Sequence, residues 1–388
     1  MPFGPKKAPW TPRRSTCCFL RLAHYHRSRV SRMKAPRTYE RRNAARPVRR
    51  RLPRRRGVRA FERASTERLA LFSGTGNRGL TEAIAADLGV PLGDVEMSRF
   101  ASSESYVRLC TSVRGMHAFV VQGMSDPIDH MIMEQLIMID ALKRASAQRV
   151  TAICPLYPYS RQDRKARERE PITAKLVAEL YETAGADRMV SVDLHAPQIQ
   201  GFFRVPFDHL TALPVLADHL AGSLKDGFVV VAPDAGALRL ADKWARHLSH
   251  FHNLEADVAY LLKRRVTEKR NVSETLAVVG DVKGRQCVLV DDMIDTAGTI
   301  LNGVNALARA GAREVVAAAT HPILSGSAIA RVEASALAEL VVADTMPLGP
   351  EKAFSKITVL SIAPLVAAAI REIFTDGSVS TVFHEENA

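Results

Sequence analysis

Between residues 69 and 374, short apolar runs alternate with longer amphipathic stretches, and this rhythm restricts the folds open to the chain. Residues 69–72 precede the stretch 80–88, residues 118–121 precede 131–142, and residues 150–153 precede 172–181, with a further apolar run at 189–192. The second half repeats the order. Residues 228–231 lead into 238–248 and residues 287–290 into 298–310; the runs 315–319 and 340–342 follow, and 357–360 leads into 365–374. Strands separated by helix-length periodic segments predict βαβ units and mainly parallel sheets. Two such halves, divided near 213–226, predict two α/β domains of similar size. In open parallel sheets ligands sit beyond the carboxyl ends of the strands, so functional residues are expected just after the apolar runs.

Charge separates a third segment. The chain has 388 residues with 54 Lys+Arg against 41 Asp+Glu, a formal net charge of +13. Residues 1–63 hold 21 of the basic residues and only two acids, Glu40 and Glu62, so the other 325 residues are net −6. Runs such as Arg49-Arg50-Arg51-Leu52-Pro53-Arg54-Arg55-Arg56 have no periodicity, and dense like charge predicts a disordered tail. An electrostatic arm for nucleic acid or anionic membrane, an organellar transit peptide, and a segment belonging to no folded unit (with translation starting further in, for instance at Met33) are all compatible with it; the last is the default. With few aromatics and no nucleic-acid motif, the tail carries no expected function, and nucleic acid is expected at most to touch this tail.

A hydrophobic fraction of 47% excludes global disorder. No run of 18 apolar residues occurs, so no membrane span or membrane partner is expected. The apolar patch at 17–23 is broken by Arg21 and too short for a secretory signal. Five scattered cysteines without a Cys-x-x-Cys pair fit reduced thiols in a cytoplasmic protein better than disulfides or a zinc site.

The sharpest motif is Val288-Leu289-Val290-Asp291-Asp292-Met293-Ile294-Asp295-Thr296-Ala297-Gly298-Thr299. A buried strand ends in two adjacent carboxylates, and a small, hydroxyl-bearing loop opens a helix. Backbone N–H groups at a helix N-terminus bind phosphate, and Ala297 and Gly298 leave room for its approach. Thr296 and Thr299 add hydroxyl donors. The carboxylates can accept bonds from vicinal sugar hydroxyls or hold hydrated Mg²⁺. Helix capping accounts for one such acid but not for three.

This segment resembles the phosphoribosyl diphosphate loop of type I phosphoribosyltransferases and of ribose-phosphate pyrophosphokinases. The pyrophosphokinases are favoured by Arg161-Gln162-Asp163-Arg164-Lys165 with Arg169-Glu170-Pro171-Ile172-Thr173-Ala174-Lys175, and by Val192-Asp193-Leu194-His195-Ala196-Pro197-Gln198-Ile199-Gln200-Gly201-Phe202-Phe203. Further matches are residues 140–145, read as a strand, Ala232-Pro233-Asp234-Ala235-Gly236, Lys263-Arg264-Arg265 and Thr320-His321-Pro322-Ile323-Leu324-Ser325. The resemblance covers roughly residues 67–384. It implies two phosphoribosyltransferase-like domains, 67–215 with the nucleotide loop and 216–388 with the ribose-5-phosphate loop, behind a basic extension at 1–66.

The activity implied is transfer of the β,γ-diphosphoryl group of ATP to the C1 hydroxyl of ribose 5-phosphate, with Mg²⁺ as cofactor. By the same resemblance Asp295, Thr296, Ala297, Gly298 and Thr299 grip the 5-phosphate, and Asp291 and Asp292 hold ribose hydroxyls. Phe100, Ser102, Ser103, Glu104, Arg161 and Gln162 fall at ATP-contacting positions, and His195 and Asp234 at metal-associated ones. Lys263 and Arg265 fall on a mobile catalytic loop whose closure brings two cations to the transferred phosphate, Arg265 also reaching the sugar phosphate. Residues 266–271 are polar enough for a lid. Relatives assemble through dimers into hexamers, which implies a homo-oligomer. The helix-like stretch 131–139 is richer in Met, Ile and Leu than one face needs, as for a core helix covered on two sides or an interface.

The chain departs from the family pattern in several places. Ser102 and Ser103 stand where relatives carry a carboxylate or amide and then glycine, so a positive φ at Ser103 would strain the backbone. Arg204 stands where many relatives have Asp, and Ala235 and Ala237 replace polar or glycine positions. The turn Gly74-Thr75-Gly76-Asn77 also differs, and lacks the spacing of a nucleotide-binding glycine loop. These departures raise the alternative of a catalytically weak, synthetase-like regulatory or structural subunit; a phosphoribosyltransferase is a further one.

Overall fold

The structure, a computed structural model, describes residues 68–224, 227–265, 273–349 and 352–383; of residues 263–265, 273–276 and 383 only the backbone is described. The basic extension expected at 1–66 and the lid expected at 266–271 lie outside the described residues.

The chain begins with β1 (Leu69–Ser73), α1 (Arg78–Leu88) and a hairpin of β2 (Val95–Arg99) and β3 (Ser105–Leu109). Next come β4 (His117–Val121), α2 (Ile128–Arg144), β5 (Arg149–Cys154), α3 (Thr173–Ala184), β6 (Arg188–Val192) and β7 (Phe207–Leu210). The second half comprises α4 (Leu213–Ala221), β8 (Val229–Ala232), α5 (Leu238–His252), β9 (Asp257–Arg265), β10 (Ser273–Val279) and β11 (Gln286–Ile294). It closes with α6 (Gly298–Arg309), β12 (Glu314–Pro322), α7 (Ala328–Glu333), β13 (Glu339–Ala343), β14 (Ile357–Leu360) and α8 (Ala363–Phe374).

Two sheets result. One has the order β1-β4-β5-β6-β7 and is parallel throughout. The other, β10-β9-β8-β11-β12-β13-β14, is parallel except where β10 runs against β9 at the edge. Every residue of β1, β4 and β8 is buried, as expected of strands covered by helices on both faces. The α/β expectation is met.

Local chemistry sets the element ends. The Asn77 side chain accepts from Leu80 N–H at the start of α1, and Gly89 closes that helix in the left-handed region at φ 70°. Helix α2 buries Met131, Ile132, Leu136, Met138, Ile139 and Leu142, and also Glu134 and Gln135. It is covered on more than one side, which accounts for its excess of apolar residues. Residues 140–145 are not a strand: they form the last turn of α2 and its cap, where Lys143 pairs with Asp187 at 3.0 Å. Gly74 and Gly76 are required by packing, because a side chain at either would collide with Gln122 or with the Gly123 carbonyl. Glu134, buried beneath this turn, accepts from Thr75 N–H at 2.7 Å and from Gln122 Nε2 at 2.8 Å.

One apolar cluster passes from the first sheet to the second, taking in Leu80, Ile84 and Leu88 of α1 and Val366, Ile370 and Ile373 of α8. Helices α1 and α8 pack directly, and Arg371 pairs with Asp87 at 2.7 Å across them.

In the β2–β3 turn Ser103 has φ 72°, and its N–H donates to the Phe100 carbonyl at 2.8 Å. A left-handed serine costs about 1–2 kcal/mol, of which the greater freedom of an unfolded glycine returns part. Ser103→Gly is therefore expected to stabilise the chain by about 0.5–1 kcal/mol; a lower midpoint in denaturant would contradict the strain. His117 on β4 stacks on Phe119 at 4.4 Å, and its Nε2 lies 3.1 Å from Thr151 Oγ1. Burial, aided by Arg149 and Arg188, pushes its pKa down to about 4. The unfolded chain takes up a proton near the usual value of about 6.5 while the folded chain does not, so stability falls as pH drops from about 6.5 towards 4. Thermal midpoints measured over that window should fall less steeply for His117→Gln than for the parent; parallel slopes would reject the assignment.

Candidate active site

The acid pair lies within β11 itself, whose last residues remain paired with β12: Asp291 opposes Ala319 and Ile294 opposes Pro322. Ala297 then turns left-handed, φ 60° and ψ 6°, and α6 begins at Gly298. A left-handed alanine is strained, and here it turns the chain from the strand into the helix. A Cβ at Gly298 would meet only Thr296 Oγ1 at 3.7 Å, so the space in front of the helix N-terminus is open on the protein side. Arg331 Nη1 holds the Thr296 carbonyl at 2.8 Å.

Asp295 is the pivot of this loop. It accepts from Arg161 Nη1 at 2.8 Å and from the Ser325 hydroxyl, while Ser325 N–H donates to its carbonyl at 3.1 Å. Burial pushes the Asp295 carboxyl up, but Ser325 and Arg161 outweigh it and hold the group below its usual range. Arg161 follows β5 in the first sheet, so this bridge joins the two halves at their strand ends. Gln162 is directed locally, its Oε1 accepting from Thr173 Oγ1 at 2.6 Å beside the start of α3.

A second bridge lies beside the first. His195, just beyond β6, places Nδ1 2.8 Å from Asp292 Oδ2. The Asp292 hydrogen bond raises the His195 pKa in spite of burial. Burial raises Asp292, but His195 outweighs it and lowers the group. Asp291 is pushed well up, first by burial and then by the charge of Asp292, with Asp234 adding to it. Asp234 follows β8 and caps the turn at Ala235–Ala237, its Oδ1 accepting from Gly236 N–H at 3.0 Å. Carboxylates crowded until one resists ionisation are a site short of positive charge, and a hard divalent cation with oxygen ligands meets that need.

These groups line a cleft of about 1650 Å³ that includes Arg164, Asp193, His195, Asp234, Asp291 and Asp292. The structure thus brings together Arg161 with Asp295, and His195 with Asp234, Asp291 and Asp292. Phe100, Ser102, Ser103 and Glu104 sit elsewhere: their turn supplies none of the described residues lining the cleft, and Phe100 is 57% exposed. Ser102 Oγ donates to Glu104 Oε2 at 2.6 Å within that turn. The backbones of Lys263 and Arg265 form the end of β9, and their side chains lie outside the described residues.

Sequence reasoning gave no role to Thr320, His321 or Ser325. Thr320 Oγ1 donates to Asp193 Oδ2 at 2.6 Å, and His321 Nε2 reaches the carbonyls of Val192 and Asp193 at 3.0 and 3.1 Å. All three follow the apolar run of β12, so the strand-end rule that singled out His195 points to them as well. Arg204, one of the departures from the family pattern, offers its backbone N–H to Glu182 and leaves its side chain exposed.

Residues 69–185 match the N-terminal domain of ribose phosphate pyrophosphokinase, and residues 254–384 match the phosphoribosyl synthetase-associated domain. A ribose-phosphate pyrophosphokinase of Clostridium acetobutylicum is 48% identical over 320 residues, covering 82% of this chain and 98% of that protein. One from Corynebacterium glutamicum is 50% identical over 328 residues, covering 84% and 99%. The crystal structure of phosphoribosylpyrophosphate synthetase from Mycobacterium smegmatis superposes with a TM-score of 0.73 at 47% identity, covering 80% of this chain and all of that one. Similarity of this extent, through both halves, makes the chain a member of the ribose-phosphate pyrophosphokinase family.

Proposed function

We propose that the chain transfers the diphosphoryl group of ATP to the C1 hydroxyl of ribose 5-phosphate, giving phosphoribosyl diphosphate and AMP. The observation that supports this reading is the pair of bridges, Arg161–Asp295 and His195–Asp292, each 2.8 Å long, which join residues following β5 and β6 to the end of β11 and the loop after it. In the reaction the sugar O1 attacks the β-phosphorus, the bond from that phosphorus to the α-phosphate oxygen breaks, and AMP leaves with that oxygen. The protein's work is alignment and charge neutralisation.

The loop Asp295–Thr299 receives the 5-phosphate on the N–H groups opening α6 and on the hydroxyls of Thr296 and Thr299. Asp291 and Asp292 accept the ribose hydroxyls. Arg161 and Gln162 face the nucleotide, and Lys263 and Arg265 approach from β9 to neutralise charge developing on the transferred group. His195 and Asp234 would hold Mg²⁺, which supplies Lewis-acid neutralisation of the phosphate oxygens when bound. Phe100, Ser102, Ser103 and Glu104 remain proposed ATP contacts; since their turn is outside the cleft lining, they act through a rearrangement or in another copy of the chain. The reading includes a homo-oligomer built from dimers to a hexamer, a cytoplasmic location, and a division of labour between residues 67–215 and 216–388.

AMP formation from ATP and ribose 5-phosphate, followed in a coupled assay with Mg²⁺ and phosphate, is the test. Absence of turnover would overturn the reading in favour of a regulatory subunit, and diphosphate release with a nucleobase in the absence of ATP would favour a phosphoribosyltransferase. Arg161→Ala removes a charge-assisted contact of about 1.5–3 kcal/mol, so kcat/KM for ATP should fall roughly 10- to 100-fold. Arg161→Lys should recover only part of that loss, because an ammonium cannot present a planar fork; full recovery would place Arg161 away from the nucleotide.

A further inference from the structure

At the far end of α5 from Asp234, two imidazoles and a carboxylate converge. Asp218 projects from α4; His247 lies in the penultimate turn of α5, and His252 is that helix's last residue before Asn253 ends it in the left-handed region. His247 Nε2 is 2.7 Å and His252 Nε2 2.6 Å from the same oxygen, Asp218 Oδ1. One candidate ligand atom from each residue falls within a 4.8 Å group. The His247 side chain is 4% exposed, against 29% for His252 and 55% for Asp218, so the cluster is dry on one side and open to solvent on the other.

We propose that Asp218, His247 and His252 form a binding site for a zinc-class divalent cation, separate from the carboxylate centre used by the reaction. Two imidazole nitrogens with one carboxylate are the ligand set of borderline transition metals, whereas Mg²⁺ prefers oxygen alone. Bonds of about 2.0–2.2 Å require the ligand atoms to stand slightly further apart than the present hydrogen bonds, a change within reach of rotations at His252 and Asp218 on the open side. Each imidazole then carries its proton on Nδ1 and turns the Nε2 lone pair to the metal. Three protein ligands leave a position for water, and His247 also lines the cleft, which gives an ion a route in. The bound ion ties the end of α5 to α4, the helix that packs beside it.

The full chain is titrated with Co²⁺ as a spectroscopic probe and with Zn²⁺ in thermal unfolding. One equivalent of Co²⁺ should give visible d–d absorption of low-coordinate type without the thiolate charge-transfer band that cysteine ligation would add, and Zn²⁺ should raise the midpoint. His252→Ala and Asp218→Asn, chosen because both side chains are partly exposed, should each abolish the d–d band and the Zn²⁺ shift while AMP formation persists. Absence of stoichiometric Co²⁺ binding, a thiolate band, or a signal undiminished in both variants would overturn the site. Because the readouts are absorption and midpoint, a chain that lacks diphosphotransfer can still show the site, and the reverse.

Discussion

Asp193 joins the two sheets where their strands end. Its backbone is left-handed at φ 38°, and its carboxylate accepts from Ala212 N–H at 2.9 Å and from Thr320 Oγ1 at 2.6 Å. Its carbonyl and that of Val192 lie against Nε2 of His321, which is fully enclosed. Burial lowers the His321 pKa, against the pull of Asp193 and Asp292. Carbonyls only accept, so Nε2 carries a proton, while Nδ1 lies 3.0 Å from the Thr345 hydroxyl, which itself donates to the Thr320 carbonyl at 3.2 Å. This knot holds the end of β6 against the end of β12. Because β11 is the neighbour of β12, it also brings His195 to Asp292. Asp193 lines the cleft while its Oδ2 is engaged by the scaffold.

The cleft is a local electrostatic problem with a local solution. Acid groups collect at Asp234, Asp291 and Asp292, where His195 pairs with Asp292, while Arg161 after β5 pairs with the neighbouring Asp295. The formal charge of +13 has no bearing on this balance, since its excess lies in the first 63 residues and the other 325 are net −6. Arg161 engages Asp295, which keeps the guanidinium beside the loop that opens α6 and gives it a counter-ion. On the proposed reading, an arriving phosphate competes with a carboxylate already in place, and binding there is a comparison of two anions.

Most of the βα order was legible because fully buried strands and periodic helices leave strong hydrophobic signatures, as in β4, β11 and α6. The β2–β3 hairpin was not read as a pair: Val95–Arg99 is half-exposed along its length, so neither its alternation nor its apolarity rises above that of a loop. Residues 140–145 were misread because six residues are too few to separate a strand from the last turn of α2. The strand-end placement of the acid pair, of the loop after it and of His195 was legible because each follows an apolar run, and the positive φ at Ser103 matched the glycine expected there. The reach of Arg161 to Asp295, 134 positions away in the chain, was not legible, because only the folded topology brings β5 and β11 to one edge.

The packing of α1 on α8 sets a schedule for synthesis. Leu80, Ile84 and Leu88 leave the ribosome early, yet the surface that covers them includes Val366, Ile370 and Ile373, made nearly 300 residues later. A nascent chain halted before residue 363 carries a completed first sheet with one apolar helix face still in water. Such surfaces invite aggregation or chaperone capture. The first half of this protein thus completes its burial only when the last helix arrives, and truncation from the C-terminus damages the oldest part of the fold as well as the newest.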